Sequence, residues 1–208
     1  MNIPVIYEDD WLLVVDKPSG LLTIPTPKNE RRTLTSILND ELQSKGVSYR
    51  LHPCHRLDRE TSGLIIYAKG KSVQKKMMAL FKGKEIKKTY LAFVRGILRE
   101  VCAEIKFPIE GMNALTKYRL VKKMGGFCLV KAYPSTGRTN QIRIHFKAIG
   151  HPILGETKYA FRRDFTVKAK RLCLHAEELE LTHPVTKRLI RLHADLPPDM
   201  KGLLEKYA

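Results

Sequence analysis

Apolar residues along this chain fall into two patterns: short continuous runs, and stretches in which they recur every three or four positions. In VIYEDDWLLVVDKPSG the run Leu12–Val15, stopped by Lys17-Pro18 and Gly20, predicts one buried strand. GLIIYAK, with Leu64, Ile65, Ile66 and Tyr67, predicts another. Between them, TIPTPKNERR is a polar, proline-containing loop, after which Thr33 is placed to cap a helix running to about Gln43. From Ser72 to Lys82, Val73, Met77, Leu80 and Phe81 have helical spacing. From Ile86 onward strands dominate: KKTYLAFVRGIL, VCAEIKFPI, LTKYRLVKK and GFCLVKAYP, with Gly125-Gly126 as a hairpin signal between the last two. Thr139 is the expected cap of a helix whose Ile142, Phe146 and Ile149 share one face and which Gly150 ends. LCLHAEELELTHP and KRLIRLHADLP read as a closing strand pair, followed by a short helix from Pro198 to Tyr207. The sum is an α+β chain with a mixed, mainly antiparallel central sheet flanked by helices. No internal repeat or linker divides it, so residues 1–208 are expected to form a single domain.

The bulk numbers narrow the function classes. A chain of 208 residues with 43% hydrophobic content can bury a sizeable core. No apolar run approaches the roughly 20 residues needed to span a bilayer, and MNIPVIYEDDWLLVVDKP is acidic where a signal peptide would be basic. Cys54, Cys102, Cys128 and Cys173 are scattered without a CxxC pair, which points to a reducing cytoplasm rather than a disulfide frame or zinc ribbon. Charge says more. The 38 Lys+Arg against 21 Asp+Glu give a net charge of +17, the electrostatic footprint of a partner rich in phosphate, nucleic acid first among them. Charge alone does not separate a binder from an enzyme.

Candidate chemistry sits in three places. In HRLDRETSG a single carboxylate, Asp58, lies between Arg56 and Arg59, ahead of a Thr-Ser-Gly turn. By itself this stretch reads equally as a capped loop with a surface ion pair. STGRTNQIRIHFKAIGHPILGE sets Arg138, Asn140, Gln141, Arg143 and His145 in one short element. A helix over 139–149 would bring Gln141 and His145 to one face and leave Arg138 at its positive N-terminus, a natural phosphate position. Arg143 could turn inward to a buried carboxylate. Third, Lys69–Lys88 carries eight lysines among Met77, Met78, Phe81 and Tyr90. Lys158–Arg171 interleaves Arg162, Arg163, Lys168 and Lys170 with Tyr159, Phe161 and Phe165. Such interleaving suits a phosphate backbone whose bases can stack, although aromatics more often serve cores. His52, Cys54 and His55 lack the spaced second pair of a zinc site, so no metal is expected. With no GxGxxG or GxxxxGK[ST] loop, a nucleotide cofactor has no visible cradle.

Taken in order, DDWLLVVDKPSGLL, HRLDRETSG, KKTYLA, TGRTNQIRIHF, GHPILGETKY and LCLHAEELELTHP resemble the RluA-type pseudouridine synthases over nearly the whole chain. Asn140 is a departure, since the family commonly has His there. The strand pattern begins almost at Met1, which implies a short form without an N-terminal RNA-binding module. The resemblance implies the pseudouridine synthase catalytic fold and isomerisation of uridine to pseudouridine in structured RNA, ribosomal or transfer, without a cofactor. It also implies Asp58 as the catalytic aspartate, Tyr90 as the tyrosine packed on the target base and Arg143 as the arginine paired with the aspartate. Arg56, Arg59, Lys88, Arg138, Asn140 and Lys158 are the expected RNA contacts. A cytoplasmic monomer is expected.

The implied chemistry suits those residue types. The glycosidic bond must break, the uracil must turn, and C5 must attack C1′ before losing its proton. A carboxylate can stabilise positive charge at C1′, bond to it, or abstract a sugar proton to give a glycal. Each route needs an anion in a dry pocket, where only a nearby cation prevents desolvation from raising its pKa. The rival readings are a non-catalytic RNA-binding or chaperone domain, and a hydrolase pairing Asp58 with His52 or His55.

Overall fold

A computed structural model describes residues 2–28 and 30–207; Met1, Asn29 of the predicted polar loop, and Ala208 lie outside the described residues. The chain folds as two compact units, one comprising the residues up to Lys87 with Glu178–Ala194, the other Lys88–Glu177 with the chain from Asp195 onward.

In the first unit, β1 (Val5–Glu8), β2 (Leu12–Lys17) and β4 (Ser62–Lys69) pair antiparallel in that order, and β3 (Leu51–Pro53) also pairs with β4. The single strand expected over VIYEDDWLLVVDK is therefore two. The Asp9 carboxylate accepts from the N–H groups of Trp11 and Leu12, at 2.8 and 2.7 Å, and turns the chain back on itself. Strand β3 carries no apolar run and was not foreseen.

The unbroken apolar runs have a simple cause: this sheet is covered on both faces. Leu12, Val14, Leu64 and Ile66 face Val73 and Met77 of α2 (Lys71–Lys82). Their neighbours Leu13, Val15, Ile65 and Tyr67 face Leu34 and Leu38 of α1 (Leu34–Ser44). Thr33 caps α1 as expected, in a reciprocal pair with Ser36. Strand β10 (Leu189–His193) pairs with the end of β9 (Leu174–Thr182), forming the predicted closing pair.

The second unit has the strand order β5 (Lys87–Arg95), β8 (Phe127–Pro134), β7 (Leu115–Met124), β6 (Cys102–Lys106), all antiparallel. Gly125-Gly126 forms the foreseen two-residue hairpin, with Met124 opposite Phe127. Ile142 and Phe146 of α3 (Gln141–Ala148), and Met200 of α4 (Pro198–Lys206), enter the core. Two expectations for α3 are corrected. Its N-cap is Asn140, not Thr139, and Asn140 adopts the left-handed conformation (φ 55°), which Asn tolerates better than most residues. Ile149, expected within the helix on the face of Ile142 and Phe146, is instead its C-cap and 37% exposed, because the helix has ended and the chain turns away at Gly150. The fold is thus α+β with a mainly antiparallel sheet. Among the described residues, no helix is long and apolar enough to cross a membrane.

Candidate active site

In the first unit, the Asp58 loop joins β3 to β4 and is tied down carbonyl by carbonyl. Leu57 is clamped by Thr23, whose hydroxyl accepts from the Leu57 N–H and donates to the Leu57 carbonyl, both at 3.2 Å. The Asp58 carbonyl accepts from the Thr61 N–H at 3.2 Å. The Arg59 carbonyl accepts from the Gly20 N–H at 2.8 Å and from the Lys17 ammonium at 3.1 Å. The Glu60 carbonyl accepts from the Ser19 hydroxyl at 2.6 Å. Four successive residues are therefore fixed, three of them by the DKPSGLLT segment. Lys17 is fully buried and also donates to the carbonyls of Pro18 and Leu21.

The half-buried Asp58 is thus presented from a rigid backbone, with Arg56 and Arg59 exposed on either side. Lys17, Ser19, Gly20 and Thr23 were missed as supports. The available signal was a lysine closing an apolar run just before Pro-Ser-Gly. Thr23→Val keeps the shape but strands a buried N–H and C=O of Leu57. It should lower unfolding free energy by about 2 kcal/mol in a denaturant titration.

His55 accepts from the Ile66 N–H at its Nε2 (3.0 Å), so that nitrogen cannot also receive a substrate proton. Burial pushes the Cys54 thiol up to about 12, so it is no thiolate at neutral pH. The first fact weighs against His55 as the partner of Asp58 in the hydrolase reading.

In the second unit, Arg143 is buried and its guanidinium is held bidentately by Glu156, Nε to Oε2 and Nη2 to Oε1, each 2.7 Å. Nη1 donates to Oδ1 of Asn140 at 2.9 Å, while Nδ2 of Asn140 donates to the Tyr159 hydroxyl at 2.9 Å. The Arg143 guanidinium also lies 5.4 Å from the centre of the Tyr159 ring. Asn140, where the resembled family has His, therefore orients Arg143. At the N-cap position Asn140 makes no side-chain capping bond, and its amide instead bridges two partners.

Glu156 was the residue sequence reasoning missed, though it stands in GHPILGETKY. Its Oε1 also accepts from the N–H groups of Thr157, Lys158 and Tyr159, at 2.9, 2.8 and 3.3 Å. Burial would push its carboxyl up, but Arg143 and these N–H groups outweigh it and hold it below the usual carboxylate range. Gly155 beside it has φ +76°, and a Cβ there would lie 1.9 Å from the Arg171 carbonyl oxygen, so only glycine fits.

The opposite side of α3 is fixed by polar bonds to β7. Gln141 and His145 share the predicted face. Gln141 donates to Thr116 Oγ1 and to the Leu115 carbonyl, both at 3.0 Å, and accepts from the Arg138 N–H and the Thr136 hydroxyl. The fully buried His145 must donate from Nε2 to the Phe107 carbonyl, which fixes Nδ1 as acceptor from Thr116. Burial lowers the His145 pKa below 6.5, against a smaller opposing pull from the Phe107 carbonyl. The unfolded chain thus takes up a proton more readily than the folded one, so stability is full above about 6.5 and falls as pH drops below it. Urea titrations between about pH 7.5 and 5.5 should show that slope, and His145→Gln should flatten it; His52, also lowered by burial, supplies a remainder of the same sign.

The other expected residues have plain positions. Tyr90 and Lys88 lie two apart on β5 and so share a face. Tyr90 packs partly buried against the core cluster, and burial lowers the Lys88 pKa. Arg138 reaches the Asn113 carbonyl at 3.4 Å, and Lys158 is exposed. Within the second unit the fold brings Arg143, Asn140 and Lys158 together around Glu156.

An α+β fold with a backbone-fixed aspartate loop and a carboxylate-gripped arginine defines a class: the chain belongs to the RNA pseudouridylate synthase family, whose sequence model matches residues 11–148. Among its relatives are the dual-specificity RNA pseudouridine synthase RluA of Haemophilus influenzae, 36% identical over 92% of both chains, and tRNA pseudouridine synthase C of Vibrio cholerae, 31% identical over 99% of this chain and 96% of that one. The solved structure of human RNA Pseudouridylate Synthase Domain Containing 4 superposes with a TM-score of 0.83, covering 98% of this chain and 92% of that one at 24% identity, which shows the shared fold.

Proposed function

We propose that this enzyme isomerises uridine to pseudouridine within stem-loops of ribosomal RNA, transfer RNA or both, with Asp58 as the catalytic carboxylate. The observation that carries the proposal is the pinned 57–60 backbone, because a carboxylate that must meet C1′ of an extruded nucleotide has to be held still. Arg143 is the cation that keeps Asp58 ionised; an arginine stays charged when buried and offers five N–H groups, enough for Glu156, Asn140 and a further carboxylate. Tyr90 supplies a flat face for the flipped base, and its hydroxyl is suited to the proton transfer that ends the reaction. Bond by bond, N1–C1′ breaks, C5–C1′ forms, and the proton lost from C5 is balanced by one gained at N1. No redox change or external group is involved, so the residues suffice without a cofactor.

Arg56, Arg59, Lys88, Arg138, Asn140 and Lys158 contribute to RNA binding, and the protein acts in the cytoplasm as a monomer. The names of the relatives favour both RNA classes: one is of dual specificity, one acts on transfer RNA, and a third, from Nitrosomonas europaea, is a ribosomal large subunit synthase. The purified protein, given RNA with tritium at C5 of uridine, should release tritium to water. Binding without release would favour the non-catalytic reading.

A further inference from the structure

Of the three aromatics interleaved with cations between Lys158 and Arg171, two are used by the fold. Phe165 is buried in the core, and Tyr159 holds Asn140 and Arg143. Phe161 is different: it is 68% exposed. Exposure here is not the result of a loose loop. The Phe161 N–H donates to Oδ2 of Asp164 at 3.0 Å, the Asp164 N–H donates back to the Phe161 carbonyl at 2.9 Å, and Arg95 donates from Nη1 to the Asp164 carbonyl at 3.0 Å. Buried Ala160, Phe165 and Val167 anchor the turn on both sides. The guanidinium of Arg163 stands 5.1 Å from the ring centre.

Beneath this turn lies a cavity of about 80 Å³ whose wall includes Arg162, Lys168 and Lys170, together with Glu156, whose carboxylate is already held by the Arg143 guanidinium. None of these three cations, nor Arg163, is paired with a carboxylate among the described residues, although the chain pairs many of its other surface cations. Three cations without a carboxylate partner, around a hollow whose one carboxylate is neutralised by Arg143 and beside an aromatic ring held out into water on a rigid turn, form a complementary surface for a phosphate and an unpaired base.

We propose that the 158–170 loop is a second RNA subsite, which holds an unpaired nucleotide of the substrate other than the modified uridine. The base stacks on Phe161 and its phosphate is received by Arg162, Lys168 and Lys170. The subsite rests on the reading of this protein as an RNA-modifying enzyme and adds to it a requirement for single-stranded RNA beyond the target. Stacking needs a free base face, which a duplex does not offer, so Phe161 discriminates between strands while the cations do not.

Fluorescence anisotropy with a labelled oligouridine of about twelve nucleotides, and with a blunt RNA duplex of similar length, tests this. Phe161→Ala should weaken single-strand binding about tenfold and leave duplex binding within about twofold, and Phe161→Trp should restore the loss. Lys168→Ala with Lys170→Ala should weaken both and flatten the dependence of log Kd on log salt by about one to two. Equal binding of both RNAs by wild type and Phe161→Ala, or equal weakening of both, would overturn the subsite. The assay needs no turnover, so the two readings fail separately. If wild type releases no tritium from any RNA but the Phe161 effect holds, the enzymatic reading fails and the subsite stands. If turnover is normal and Phe161→Ala binds like wild type, only the subsite fails.

Discussion

Asp58→Asn should reduce tritium release from RNA labelled at C5 of uridine to background while leaving RNA affinity within about threefold of wild type. The substitution keeps the size and hydrogen-bonding span of the side chain, so the pinned loop should persist: the bonds from Lys17, Ser19, Gly20, Thr23 and Thr61 to residues 57–60 all use backbone atoms of that segment. What goes is the negative charge. An amide can neither bond covalently to C1′ nor take a sugar proton, and it stabilises a cation poorly, so all three conceivable routes lose their agent together. Binding is spared because RNA phosphates repel a carboxylate, and its removal costs no attractive contact. Turnover within about tenfold of wild type would remove Asp58 from the chemistry, since loss of an essential nucleophile or base costs far more.

Glu156→Gln should have the largest effect on stability. Arg143 is buried, and the substitution removes its bidentate counter-charge, leaving a cation that water cannot reach. Breaking a buried pair from one side costs about 3–5 kcal/mol, which for a chain of this size lowers Tm by about 10 °C. The three backbone N–H groups that converge on Oε1 would meet an amide oxygen of lower charge, adding to the loss. Turnover should fall as well, because Arg143 is then free to leave the position in which Asn140 and Glu156 hold it. In the wild type the sign with pH is definite. The Glu156 carboxyl titrates below its ordinary 4.5 in the folded protein, so the contribution of the pair is complete above that value and lost as pH falls through the lower one. Glu156→Gln should therefore also shed part of the acid-side decline in stability. A variant that melts with wild type, monitored by calorimetry, would show that the pair does not anchor the second unit.

The sequence made the regular parts legible and the long-range supports illegible, for physical reasons. Helix α2 and the Gly125-Gly126 hairpin depend on local periodicity and turn chemistry, which lie within a few residues. The split of β1 from β2 depended on one carboxylate, Asp9, turning the chain within a stretch that otherwise reads as continuous. At the N-cap position of α3, Asn140 makes no side-chain capping bond and is committed instead to Arg143 and Tyr159, nineteen positions away in the second case. Asp58, Tyr90 and Arg143 could be singled out because they sit in motifs. Glu156 and Lys17 could not, since their roles arise from partners that only folding brings close: a buried guanidinium for one, a row of carbonyls for the other. An acid next to a glycine in a basic stretch, and a lysine closing an apolar run, are the faint local traces of those roles.

The most direct test is pseudouridine mapping, by carbodiimide-stalled reverse transcription, of RNA from cells that lack this protein and carry either the wild-type chain or Asp58→Asn. The account predicts one or a few stops, in ribosomal or transfer RNA, that return with the wild type and stay absent with Asp58→Asn. Stops that return equally with both chains, or a map that never changes, would contradict it.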